Sequence, residues 1–92
     1  MERELYKVTA EIVDANGTYN PLSGYPKVFD SKHYQNDVDK ARSRAVGDWH
    51  EVMGAMAKID SRQLQIAQVI QLSNGAILES GIYGKIADVA EG

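Results

Sequence analysis

Ninety-two residues, 43% hydrophobic and 25% charged, are enough for one globular domain and too apolar for an intrinsically disordered chain. The lack of cysteine excludes a disulfide framework and any thiolate metal site, so stability must come from the core or from a partner covering apolar surface. The net charge of −3 is mild but uneven: residues 1–26 sum to −2, residues 27–44 to +2 and residues 45–92 to −3. An acidic protein with a basic middle can meet a polyanion at one place and basic protein elsewhere.

No run approaches the roughly 20 apolar residues of a membrane span. Met1-Glu2-Arg3-Glu4 is unlike the basic start of a signal peptide, so a cytoplasmic location and no membrane partner are expected. Asn16-Gly17-Thr18 matches a glycosylation acceptor but reads better as a turn.

In chain order, residues 4–13 alternate. Tyr6, Val8, Ala10 and Ile12 share one side, while Lys7, Thr9 and Glu11 share the other, which predicts a half-buried strand. It ends at Asp14-Ala15-Asn16-Gly17, a sequence suited to positive φ. Residues 18–34 read as a long connection holding Pro21, Pro26, Tyr19, Tyr25, Phe29 and Tyr34, with a short edge strand at Val28 and Phe29.

A helix follows. Asn36 is the expected N-cap, and Asp37 and Asp39 suit the positive end of the helix dipole. At 100° per residue the apolar stripe is Val38, Ala41, Ala45, Trp49, Val52, Met56 and Ile59, widened by Val46 and Met53. About 22 residues give a helix roughly 33 Å long, so part of it is expected to project beyond the sheet.

Residues 62–72 and 76–83 flank Ser73-Asn74-Gly75, which predicts a hairpin with a type I′ turn. Counted from that turn, Ile66, Ile70, Leu72, Ile77 and Tyr83 fall on one face, and Ala67, Val69, Leu78 and Ile82 on the other. One helix covers one side of a sheet, so the second, half-apolar side is expected to meet a partner, another copy or the aromatic connection. The fold expected is therefore α+β: a three-stranded antiparallel sheet, made of the N-terminal strand and the C-terminal hairpin, packed on one long amphipathic helix. Residues 1–86 form the single domain, and 87–92 a frayed tail.

Catalytic signatures are missing. His50-Glu51 opens an H-E-x-x-H pattern whose fifth position is Gly54, and His33 is the one other histidine. There is no G-x-S-x-G elbow and no glycine-rich phosphate loop before a helix. Asp37 and Asp39, two apart, point to different sides of a helix and share no proton. A protein that binds, without cofactor or metal, is the reading.

Two groups of residues are candidates for partner binding. The first is the aromatic and basic segment: Tyr19, Tyr25, Lys27, Phe29, Lys32, His33 and Tyr34, continued on the helix by Lys40 and Arg44, with Asp48 placed to relieve Arg44. The second is the polar helix face, where Gly47 and Gly54 lie seven residues apart near Ser43. Each glycine costs about 1 kcal/mol against alanine, a cost that close approach of a partner's backbone would explain.

In its size, acidic cysteine-free composition and element order, the chain resembles small phage-encoded anti-CRISPR proteins, including inhibitors of the type I-F surveillance complex. That resemblance implies an inhibitor that docks on a host ribonucleoprotein in the bacterial cytoplasm, contacts Cas subunits and guide RNA, and blocks target DNA binding. Acidic surface would face basic Cas subunits and the basic segment the RNA backbone. The alternatives are a structural or accessory phage protein that forms a homodimer or larger homo-oligomer, and a small nucleic-acid-binding domain using residues 27–44.

Overall fold

The computed structural model describes residues 3–60 and 62–84; the expected tail at 87–92 lies outside them. The chain is α+β, with one helix on an antiparallel sheet of five strands. β1 (Leu5–Val13) is the organising strand. β4 (Leu64–Gln71) pairs along its full length on one side, and β5 (Ala76–Tyr83) lies outside β4. On the other side β1 has two short partners in line. β3 (Lys27–Asp30) covers Leu5–Val8, and β2 (Tyr19–Pro21) covers Glu11–Val13.

The sheet therefore has five strands where three were expected: the short edge strand expected at Val28 and Phe29 is β3, paired to β1, and β2 was not anticipated. Stretches of three and four residues are too short to show alternation, and prolines bound them, Pro21 ending β2 and Pro26 preceding β3. What reads as a long connection is instead a hairpin, β1–β2, followed by a returning edge strand. Asp14 closes that hairpin: its carboxylate accepts from Asn16 N and Thr18 N, and Gly17 takes φ +82°. After β3, Ser31–Tyr34 makes one turn of 3-10 helix.

Helix α1 runs Val38–Met56, 19 residues or about 28 Å, slightly shorter than β1 at about 30 Å. It does not overhang the sheet, because Val38 at one end and Met56 at the other both pack on the core. Its N-cap is Asp37, whose carboxylate accepts from Lys40 N; Asn36 instead takes φ +61° in the turn before it. The buried stripe is Ala41, Ala45, Val52 and Met56, as the periodicity requires. It meets Tyr6, Val8 and Ala10 of β1 and Ala67 and Val69 of β4. Alanine on both sides of the contact lets the helix axis lie close to the sheet.

Trp49 and Gly81 fix the helix over the outer strand. The indole N–H donates to Ala67 O at 3.0 Å. A Cβ on Gly81 would lie 2.6 Å from Met53 Cε and 3.0 Å from Trp49 Cζ2, so the helix can sit there only over glycine. At the far end Gln65, 1% exposed, donates to Asp60 O at 2.8 Å and ties the link after α1 to β4.

The β4–β5 connection is a four-residue loop, 72–75, and not a two-residue type I′ turn. Only Gly75 has positive φ (+73°), and its N–H bonds Gln71 O at 2.8 Å. Between the pairs Ile70–Ile77 and Val69–Glu79 the register shifts, leaving Leu78 as a bulge residue packed on the helix-side core. The bulge corrects the face assignment. Beyond it the parity of β5 reverses, so Ile82 stands opposite Ile66 on the face away from α1, and Tyr83 moves to the helix side opposite Gln65.

Candidate functional site

The face of the sheet away from α1 carries Lys7, Thr9 and Glu11 beside Ile66, Gln68, Ile70, Ile77, Ser80 and Ile82, by the register of the strands. Ile77 and Ile82 are 56% and 65% exposed. The aromatic connection does not cover this face. Tyr25, Phe29 and Tyr34 turn to the helix side and extend the core there, half-buried.

The candidate residues of the 18–34 segment fall into two places. Tyr19 is exposed on β2, opposite Val13 at one end of β1. Lys32, His33 and Tyr34 lie at the other end, where Ser31 N donates to Glu4 O, about 27 Å away by strand rise. The segment is therefore not one continuous patch.

Its middle is held by side chains. The Tyr25 hydroxyl donates to Asp48 Oδ2 at 2.7 Å, and Lys27 Nζ reaches Asp48 Oδ1 at 3.2 Å while lying 4.9 Å over the Tyr25 ring. Burial pushes the Tyr25 phenol up, and the bonded carboxylate adds to the shift. The bond to Asp48 holds the Lys27 ammonium above its usual range. Asp48 is thus the latch between β3 and α1, and its ion pair is with Lys27 where the sequence reading gave Arg44. The partners are 21 residues apart, which no local pattern marks.

A second latch stands one strand-length away. Arg3 donates twice to Asp30, Nη2 to Oδ2 at 2.6 Å and Nε to Oδ1 at 3.1 Å, and Lys32 N donates to Asp30 Oδ1 at 3.0 Å. Together these lower the Asp30 pKa to about 2, the Arg3 bond being the largest cause.

On the outer face of α1 a shallow cleft of about 190 Å³ is lined by Phe29, Ser43, Arg44, Gly47, Asp48 and Glu51. A broader groove on the other side of Gly47 shares Ser43 and reaches Val46 and His50. Gly47 is the common floor of both. A Cβ at Gly47 or Gly54 would meet no atom within 4 Å, in contrast with Gly81. Arg44 and Lys40 are exposed, and Glu51 and Asp39 accompany them, so the face is mixed in charge. Asp48 and Glu51 are cleft residues outside the candidate binding residues of the sequence analysis; their i, i+4 spacings from Arg44 and Gly47 were the available signal.

Among the described residues no group of three or more histidine or acidic side chains is placed to hold a metal ion, and no helix is long and apolar enough to cross a membrane. Compared with known protein families, curated proteins and solved structures, the chain matches none.

Proposed function

We propose that the chain is a non-enzymatic inhibitor that occupies the surface of a larger host complex through the outer face of α1, with Gly47 as the point of closest approach. The observation that carries this reading is the contrast among the glycines. Gly81 is required by Met53 and Trp49, whereas no neighbour inside the fold requires glycine at 47 or 54. A mid-helix glycine costs about 1 kcal/mol against alanine; passage of another chain's backbone over the groove accounts for Gly47, and Gly54, in the last turn, lies further along the same helix.

The partner class follows the resemblance to anti-CRISPR proteins: a CRISPR-Cas ribonucleoprotein, blocked before it binds target DNA. The alternation of Arg44, Asp48 and Glu51 around the cleft suits a protein surface of mixed charge better than bare phosphate. Free nucleic acid is a poorer fit, because Asp48 already holds Lys27, and Asp37 and Asp39 lie between Lys32 and Lys40.

The test uses a purified type I-F surveillance complex and its labelled target DNA. The wild-type chain is expected to bind the complex and abolish the DNA gel shift. Gly47→Ala and Gly54→Ala are expected to melt higher than wild type yet bind at least about tenfold more weakly. A wild-type chain that leaves the gel shift intact overturns the partner. Alanine variants that bind like wild type overturn the docking face.

A further inference from the structure

We infer that the free edge of β5 pairs with β5 of a second copy, antiparallel about a two-fold axis at Gly81. The inference rests on a different surface from the helix face above and stands independently of it.

Which backbone groups face outward can be derived from one bond. Leu72 N donates to Leu5 O at 2.9 Å, so 5–72 is a hydrogen-bonded pair of the β1–β4 ladder. Such pairs alternate in antiparallel sheets, hence 7–70, 9–68, 11–66 and 13–64 are also bonded. The odd-numbered residues of β4 therefore direct their N–H and C=O toward β5. Gln65, Ala67 and Val69 bond Tyr83, Gly81 and Glu79. Ser80 and Ile82 are left with N–H and C=O aimed away from the sheet.

Only outward-facing residues can bond across a two-fold edge, which leaves three registers. Ser80 opposite itself puts Ile82 against the bulge residue Leu78, and Ile82 opposite itself puts Ser80 against Gly84, which has left the strand at φ +64°. The third sets Ser80 opposite Ile82 of the second copy, twice, on either side of a central Gly81–Gly81 pair. It keeps every bonded residue within Glu79–Tyr83, the straight part of the strand beyond the bulge. The central pair is of the non-hydrogen-bonded kind, where strands approach to about 4.5 Å between Cα atoms.

Nothing in the sequence of β5 opposes this. The strand contains no proline and no lysine or arginine, and its single charge, Glu79, stands on the helix side opposite Tyr83 of the second copy. Ile82, 65% exposed, comes to lie beside Ser80 of the second copy. Five paired residues span only about 17 Å, so the contact belongs near the low end of specific interfaces, about 1,000 Å² in total. Association at micromolar concentration is expected.

The test is sedimentation of the full chain over a wide concentration range, with amide hydrogen exchange at both ends of it. A reversible dimer is expected, with Ser80 and Ile82 amides slowed only where the dimer forms. Ser80→Pro removes an outward N–H and no internal ladder bond, so it should melt like wild type and dimerise more than about tenfold more weakly. Ser80→Ala, which keeps the N–H, should dimerise normally. Should the proline variant not fold, Ile82→Lys is the second edge-blocking change, with the same expected weakening. A monomer throughout, or slowed amides in a monomer because the chain's own residues 85–92 cover the edge, overturns the inference. A dimer indifferent to the edge-blocking variant overturns it too and points to the exposed sheet face.

Discussion

The two edges of the sheet are built on opposite plans. The β2/β3 edge is split into two short strands, carries Pro21 and Lys27 with Pro26 between them, and is tied down by Asp48 to Tyr25 and Lys27 and by Arg3 to Asp30. The β5 edge is eight residues, with a bulge at Leu78 but without proline or a basic residue, and with two exposed isoleucines. Edge strands recruit other strands unless something prevents it, and the usual preventions are short length, proline and lysine. All three protect one edge here and none the other. β5 is paired to β4 and packed under the helix at the space Gly81 leaves, beside Trp49, which is bonded to Ala67 of β4; among the described residues no strand pairs with its outer side.

The largest effect should come from removing that space. In Gly81→Ala the end of Met53 can swing aside, but the Trp49 ring is held by its bond to Ala67 O; Gly81→Val pushes directly on the ring. Chemical denaturation should show a loss of about 2–3 kcal/mol for valine and about 1 kcal/mol for alanine. Wild-type stability in the valine variant would break the account of how β5 is held.

Asp48→Ala tests the guarded edge. It leaves the Tyr25 hydroxyl and Lys27 without their acceptor and should cost about 1–2 kcal/mol in the same measurement. Hydrogen exchange should quicken in β3 and not in β5. Equal quickening in both strands would show that the edges are not independent.

Gly47→Ala and Gly54→Ala should change stability in the opposite direction from Gly81→Ala, each raising it by about 1 kcal/mol, because both positions are helical and open. The acid limb gives the mildest test. Asp30 has a lowered folded pKa, about 2, so its contribution is present above the ordinary carboxylate range and is lost as pH falls through that range toward 2. The melting temperature of wild type should fall more steeply between about pH 4 and pH 2 than that of Asp30→Asn. Parallel acid profiles would remove Asp30 from the latch.

The half of the fold with long periodic elements was legible. β1, α1 and the hairpin follow from alternation, from a stripe every three to four residues and from Asn74-Gly75 between β-prone runs, and Ala41, Ala45, Val52 and Met56 are buried as the stripe requires. β2 and β3 were not, except for Val28 and Phe29, because strands of three or four residues take their identity from the partner they pair with and not from their own pattern. The N-cap missed by one residue, since Asn36 and Asp37 are both good caps and only the backbone distinguishes them. The facing of Ile82 and Tyr83 was reversed by Leu78, a bulge with no glycine or proline to announce it. Of the candidate site, the open placement of Gly47 and Gly54 was readable from helical spacing, whereas the packing of Tyr25, Phe29 and Tyr34 against the core was not, because core aromatics and binding aromatics have the same composition.

Leu78 also makes the hairpin a two-phase object. Up to Ile77 the strand keeps the phase dictated by the loop at 72–75; after Leu78 it keeps the opposite one. Regular pairing through Leu78, with no residue set aside, would exchange the wet and dry sides of everything downstream, turning Ile82 under the helix opposite Gln65 and pressing Ser80 opposite Ala67, into the place that Gly81 must keep empty. The outward isoleucine and the inward glycine are thus a single decision, taken at Leu78, before either of them.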